Sequence, residues 1–549
     1  TADDLAREAR TAALLHERFA TWQAAGYIPS REITPGDKTD ELIRTRGWTY
    51  WHHLFTPRQL LLLGLFVEAI NTSDYPIAIK TASLLGLGRG LNYTSRLSTW
   101  HPASANENVE RVFTNQALNT LFNYASRGML TLSTAWYLPF EPITTPERNA
   151  VQTCDVRDVT ETCDIWITDP PYADAINYHE LTEYFLAWYA GTLPRLFPQW
   201  YTDSKRVLAI QGVEHTFRRS MVAAYRTLAT HMPTNGYQIV MFTHQDARVW
   251  ADLTLILWAA GLRVIAAWSI ATETESALKA GNYVQGTVLL VLQKQTSVAT
   301  AFLDEIYPQV EDEVQTQLKA MLALDDNDDP NFGDADYQLA AYAAALRVLT
   351  SYRGIEELDV ARELERQRRK GEESPLIKVI TNAVRIASDY LVPRGLEQPT
   401  WKRLHASERF YLKGLDLSSQ GERRAGAYQE LARGFGVKEY THLLASTRAN
   451  EVRLKTATEL ANRYLDDDGF GRSTLRCALF AVYAVAQSGG VPAGLQWLRT
   501  ELPTYWEQRK LLIELLRFLG SLRDTQASEW GADAEAAWVL AGALENDHV

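Results

Sequence analysis

Four consecutive residues, Asp169-Pro170-Pro171-Tyr172, follow the apolar run "DIWIT" and are the positions in this chain best suited to carry chemistry. An exocyclic aromatic amine is a poor nucleophile because its lone pair is delocalised into the ring. A site that methylates such an amine must hold both N–H groups with acceptors, which pushes the nitrogen towards tetrahedral geometry. Asp169 supplies a carboxylate for this purpose and Pro170 a backbone carbonyl. Two prolines in a row, each with φ near about −65°, keep that carbonyl aimed without an ordering cost. Tyr172 then offers a flat face for a base swung out of a helix. As a bare tetrapeptide the motif also reads as a strand-ending turn, since Asp and Pro are ordinary turn residues. A second aspartate, Asp155 in "CDVRDV", falls at the end of a preceding strand in this reading, so both carboxylates are expected on one edge of a sheet, where ligands bind in open α/β folds.

The elements that must position these residues are visible as changes of period. From about residue 148, short apolar runs alternate with amphipathic stretches. "DIWITD", "YQIVMFTH", "LRVIAAWSIAT" and "VQGTVLLVLQK" read as strands, and "HELTEYFLAWYAGTL", "EHTFRRSMVAAYRTLATHM" and "ARVWADLTLILWAAG" as helices. The alternation predicts a largely parallel sheet with helices on both faces, ending in an antiparallel edge where the last two strands follow each other closely. Upstream, residues 1–28 form an expected docking helix. "FTPRQLLLLGLFVEAI" forms another, with Thr56 as cap and Pro57 in the first turn, where a missing N–H costs nothing. Helix is also expected over 76–92 and 106–128. The domain reading is a helical region at 1–147, an α/β core at 148–296, an acidic linker at 297–336 and an all-helical region at 337–549.

Composition narrows the functional classes. With 46% hydrophobic residues and 11% aromatic, the 549-residue chain is globular and long enough for several domains. Three cysteines, Cys154, Cys163 and Cys477, make neither a disulfide framework nor a CxxC pair, which suits a reducing, cytoplasmic setting and predicts no metal. A net charge of −12 argues against a protein that coats itself with nucleic acid, so any such contact must be local or shared. Asp325, Asn327 and Asp329 have calcium-loop spacing, but Pro330 stands where the loop needs glycine. His52 and His53 are adjacent, so they point apart and read as packing and capping residues. Asn177 and Tyr178 either line a base pocket or contact flanking nucleotides, or else form a helix-start loop. "RELERQRRKGEE" at 362–373 reads as a solvated helix face. "WKRLHASERFYLKG" at 401–414 mixes cations with aromatics and is the stronger candidate for a nucleic-acid backbone contact.

"CDVRDV…DIWITDPPY" resembles the third and fourth motifs of S-adenosylmethionine-dependent amino-methyltransferases. "RGWTYWHHLFTPRQLLLL", "LSTWHP" and "TDPPYADAINYHELTEYFLAWY" narrow the resemblance to the large adenine-specific DNA methylases associated with anti-phage defence, over roughly residues 40–295. The resemblance implies a Rossmann-like core that is partial, with its first strands missing. It also implies S-adenosyl-L-methionine as cofactor, with its adenine contacted by Asp155, and DNA adenine as the base held by Asp169, Pro170, Pro171 and Tyr172. Cytosine N4 and RNA adenine pose the same amine chemistry. The family's glycine-rich methionine cradle has no counterpart here. The cluster "LLGLGRGLNY" at 84–93 follows a helical stretch and lacks the acidic residue about 20 positions on that a ribose needs, so it reads as a helix end with small residues. An N-terminal portion or a second polypeptide is therefore expected to complete the fold. The alternative from another class is a non-catalytic scaffold subunit of a defence complex.

Overall fold

The computed structural model describes residues 1–98, 111–113, 118, 149–171, 177–212, 214–244, 246–271, 286–324, 334–367, 374–448, 451–465 and 469–548. The fold is mixed α/β, with small sheets and a helical C-terminal region. The chain divides into two units, one made of 1–160 and 173–212, the other of 161–172 and 213–549. This differs from the expected partition, because the helices after residue 336 belong to the same unit as the sheet. Among the described residues no helix is long and apolar enough to cross a membrane.

In the first unit, α1 (Ala2–Ala25), α3 (Pro57–Thr72) and α4 (Ile77–Leu91) are helical where helices were expected at 1–28, 55–70 and 76–92, and a short helix α2 (Asp40–Arg46) stands where none was expected. Most of 106–128 lies outside the described residues. Thr56 caps α3 as expected: its hydroxyl accepts from Gln59 N–H at 3.3 Å and Gln59 Oε1 accepts from Thr56 N–H at 2.8 Å, which satisfies two orphan donors at once. α1 packs on α3 because Gly64 leaves room for Trp22, whose indole N–H donates to Glu68 at 3.2 Å. Helices Tyr178–Leu181 and Glu183–Tyr189 add Tyr184 and Trp188 to a core that also holds Trp51, Phe55 and Leu87. The glycine cluster lies on α4, where a Cβ at Gly88 would overlap the Tyr189 hydroxyl, so these glycines serve helix packing.

In the second unit, β1 (Ile165–Thr168), β2 (Tyr237–Phe242), β3 (Leu262–Ala271) and β4 (Gly286–Lys294) form one sheet in the order β1-β2-β4-β3. All four lie within the expected strands. Only β1 and β2 are parallel; β4 runs antiparallel to both its neighbours. The expected largely parallel sheet is therefore corrected among the described strands: β4 folds back on β3 and takes the central place. Val240, Phe242, Val288, Leu290 and Leu292 face a buried side. On the opposite side the register aligns Ile165 with Tyr237, Ile167 with Ile239, and Trp268 with Leu289. There Ile165, Tyr237 and Ile270 are exposed, Ile167 is 66% exposed and Trp268 57%, so among the described residues helices cover one face of the sheet and not both as expected.

The expected acidic linker is a helix over most of its length. Leu303–Leu324 buries Ile306, Val310, Val314, Leu318 and Met321 against helices Asp334–Ser351 and Pro375–Tyr390, while its carboxylates take the other face. The calcium-like stretch at 325–330 lies outside the described residues. The all-helical reading of 337–549 is corrected by two short pairings: Gly354–Ile355 runs parallel to Thr300–Ala301, and Leu444–Ser446 pairs antiparallel with Arg453–Leu454.

Candidate functional site

β1 is built to present Asp169 and the two prolines at its carboxyl end. Its start is tied down by Cys163 N–H donating to His231 O at 3.1 Å and Trp166 Nε1 donating to the same carbonyl at 3.2 Å. The adjoining start of β2 is fixed by Tyr237 N–H on Asp164 O at 2.9 Å. Beside its last residue, the Thr168 hydroxyl lies 3.4 Å from that of Tyr225. The strand then ends at Thr168, and Pro170 and Pro171 cannot donate to a further ladder. Asp169 and Pro171 are exposed and Pro170 is half-buried at the carboxyl end of the parallel pair. This is the rim position expected from the sequence. Tyr172 lies outside the described residues.

The predicted set divides between the two units. Asp169, Pro170 and Pro171 belong to the unit with the sheet, and Asp155, Asn177 and Tyr178 to the other.

Asp155 corrects the sequence reading. It opens a 3₁₀ turn, Val156–Asp158, and no strand forms among residues 149–160. Its carboxylate is buried and accepts four hydrogen bonds from Arg157, from the backbone N–H at 2.8 Å, from Nε at 2.9 and 3.0 Å and from Nη2 at 2.5 Å. The hydrogen bonds from Arg157 hold its pKa below the ordinary carboxylate range, against the opposing effect of burial. Both oxygens are already engaged by a neighbour two residues on.

Asn177 precedes the helix that starts at Tyr178, and its Nδ2 lies 3.4 Å from both Asp37 Oδ2 and Glu180 Oε1. Tyr178 is exposed. Behind them stands a polar cluster that the sequence reading missed. Glu180 is buried and accepts from Asp37 N–H at 3.1 Å, Lys38 N–H at 2.9 Å and the Thr39 hydroxyl at 3.3 Å. Glu183, also buried, accepts from Arg206 Nε at 3.1 Å, and Arg206 donates onward to Thr34 O at 3.0 Å and Pro35 O at 3.1 Å. Two glutamates three apart inside the aromatic helix "YHELTEYFLAWY" were the available signal, because carboxylates on an apolar face need partners. The cluster clamps loop 34–39 to the segment that begins at Asn177. Nearby, burial pushes the Tyr189 hydroxyl up to about 12, and that hydroxyl donates to Leu84 O at 3.1 Å.

The remaining candidates take structural places. His53 Nδ1 accepts from Thr49 N–H at 3.2 Å, and the His52 ring packs edge-on against Phe19 with centroids 5.3 Å apart, as the packing and capping reading expected. Residues 368–373 of the basic run lie outside the described residues. In the 401–414 stretch Trp401, Phe410 and Tyr411 are fully buried, Lys413 pairs with Asp416 at 2.8 Å and Arg409 pairs with Asp389 at 2.5 Å, while Lys402 and Arg403 are exposed. Among the described residues no group of three His, Cys, Asp or Glu could hold a metal ion. Comparison with known proteins gives no match to the chain among family models, curated proteins or solved structures.

Proposed function

We propose that this chain carries the target-base half of an S-adenosylmethionine-dependent methyltransferase acting on the exocyclic N6 amine of adenine in DNA, in a restriction-modification or anti-phage setting. The observation that supports it most is Asp169 standing exposed at the carboxyl end of β1, with Pro170 directly after it. A carboxylate and a proline carbonyl adjacent in the chain are two acceptors for one NH₂ group. Asp169 takes one N–H and Pro170 O the other, which localises the lone pair on the nitrogen. The cofactor supplies the methyl group when bound. The described residues do not fit that cofactor on their own, since the glycine cluster is helical and Arg157 already occupies the Asp155 carboxylate. In this reading the methionine cradle comes from a further portion or a second polypeptide, and the open flank of β1 is where it joins.

β1 pairs only with β2 among the described strands. A parallel strand ordinarily has neighbours and cover on both sides. Ile165 and Ile167, exposed on β1, are the apolar surface such a neighbour would bury.

The engagement of Asp155 by Arg157 favours one second reading, a non-catalytic scaffold that keeps the motif without binding cofactor. Titration of S-adenosylmethionine separates the two: binding by the chain with its completing polypeptide supports the enzyme, and no binding to either supports the scaffold. Within the enzyme, Asp169→Ala abolishes methyl transfer to DNA while circular dichroism and the thermal transition stay as in the wild type. Full methyl transfer by the Asp169→Ala assembly refutes the assigned role.

A further inference from the structure

In the first unit, the turn that follows the short helix Leu193–Leu196 carries two aromatic rings towards solvent. Leu193 and Leu196 pack against the aromatic core of that unit and so fix the start of the turn. Trp200 N–H donates to Phe197 O at 3.0 Å, which brings the two side chains together. Their rings stack with centroids 4.0 Å apart and planes 10° from parallel. Trp200 is nevertheless 41% exposed. Because Phe197 covers one face of the indole, the exposed part is the opposite face and the ring edge. An indole held in this way is ordered before anything binds, so a flat ligand stacking on it meets little further ordering cost.

The charge around this turn is positive. Residues 193–212 hold three cations, Arg195, Lys205 and Arg206, against one carboxylate, Asp203. Asp203 is paired with Arg31 at 2.6 Å, and Arg206 with Glu183 at 3.1 Å. Lys205 lies 4.5 Å from the centroid of the Tyr201 ring and donates to Tyr201 O at 2.5 Å, which leaves two of its N–H groups for other acceptors. Among the described residues the exposed Arg195 donates only to Ala25 O, at 3.4 Å, the long limit of a hydrogen bond. An open aromatic face flanked in the chain by cations suits a polyanion that carries flat rings. A base stacks on the indole whatever its identity, and the phosphates on either side meet the cations. A duplex keeps its bases stacked on one another, so the single strand is the form that fits. In a chain of net charge −12 such a contact has to be local, as this one is.

We infer that Trp200 stacks on one base of a single-stranded nucleic acid, with Arg195 and Lys205 contacting the adjoining phosphates. The inference goes beyond the methyl-transfer reading and does not rest on it, because none of these residues is assigned to the amine or to the cofactor.

The experiment measures fluorescence anisotropy of a 5′-labelled single-stranded 12-mer deoxyoligonucleotide on the full chain. The same length of abasic strand, the duplex and a poly-glutamate peptide serve as competitors. Wild-type protein is expected to bind the 12-mer more tightly than any of the three. Trp200→Ala is expected to weaken binding of the 12-mer about tenfold or more while leaving that of the abasic strand unchanged, and Trp200→Phe, which keeps a flat ring, to recover most of the loss. Arg195→Met is expected to lower the slope of log affinity against log salt by about 0.7, the value for one phosphate contact on a single strand. Unchanged thermal transitions show that the variants keep the fold. Trp200→Ala is expected to have the same effect with Asp169→Ala in the background, so the result stands apart from the methyl-transfer reading. No binding by the wild type, equal binding by Trp200→Ala, equal affinity for the normal and abasic strands, or equally strong competition by poly-glutamate each overturns the inference.

Discussion

Glu180→Ala deletes the acceptor that holds loop 34–39 against the helix behind Asn177. The carboxylate accepts from two backbone N–H groups, at 3.1 and 2.9 Å, and from the Thr39 hydroxyl at 3.3 Å. A hydrogen bond to a charged group contributes on the order of 1.5–3 kcal/mol. Asp37 and Lys38 are exposed, so their amides regain water when the carboxylate goes, and the buried Thr39 hydroxyl keeps Thr34 O, to which it donates at 2.7 Å. Taking the low end for the two amides and nothing for Thr39 gives a destabilisation of the first unit of about 3 kcal/mol. Glu180→Gln keeps an acceptor oxygen and loses the charge, so about half of that is expected. Amide hydrogen exchange at residues 37–39 is the direct assay, with denaturant titration followed by tryptophan fluorescence for the unit as a whole. The alanine variant should expose those amides to fast exchange while residues in the core of α3 stay protected. Under the proposed function, because Asn177 Nδ2 lies against both Asp37 and Glu180, the completed assembly should also show a raised KM for DNA with a smaller change in kcat. Unchanged exchange at 37–39 together with a loss below about 0.5 kcal/mol would refute the clamp.

Gly64→Ala drives a Cβ into the Trp22 indole and within 3.0 Å of Ile28 Cγ2, and should cost about 1–3 kcal/mol, read as a lower denaturation midpoint. His52, held neutral with its pKa near 4, makes the first unit acid-sensitive. The unfolded ring takes its proton first as pH falls below about 6.5, so stability should decline through that point and level off once the folded ring titrates near 4. Solvent screening of a half-buried ring limits the loss to the order of 1 kcal/mol, and His52→Phe should flatten the pH dependence of the midpoint. Ile167→Lys, at an exposed position, should leave stability within about 0.5 kcal/mol but, under the proposed function, prevent association with the completing polypeptide in size-exclusion chromatography.

The elements of this chain were legible in its sequence wherever a single period dominated. α3 could be placed by Thr56 and Pro57 because capping is a local contract between neighbours, and β1 by a short apolar run closed by two prolines. What escaped was information carried by distant contacts. Alternation along β3 and β4 reveals that each is a strand, but direction and order depend on which edges meet, and nothing in either strand specifies that β4 should lie between β2 and β3. Helix Leu303–Leu324 was hidden by its charge: five carboxylates stand against one lysine, while Ile306, Val310, Val314 and Leu318 recur every four residues and decide the fold. In 401–414 the cations and aromatics were visible, but the inward direction of Trp401, Phe410 and Tyr411 depends on partners far along the chain.

The candidate site divides along the same line. Asp169 was readable because its position at a strand end is set by residues on either side of it. The Asp155–Arg157 pair is equally local, and an arginine two residues after an aspartate was a sign that the carboxylate had a partner before any ligand. Glu180 and Arg206 span more than 140 residues in their contacts with loop 34–39, Glu183 joins them through Arg206, and only the carboxylates' presence on an aromatic helix face hinted at them. The edge of β1 gives these observations a common consequence. A parallel strand of four residues with two exposed isoleucines gains little from its own unit. Its ladder is half used among the described strands, and the apolar surface beside it remains in water. Pairing on that edge and burying that surface would stabilise the strand that carries Asp169, so assembly and the aiming of the acceptor pair would be coupled. Under the proposed function, the chain's affinity for its completing polypeptide and the order of the Asp169 loop should therefore rise and fall together.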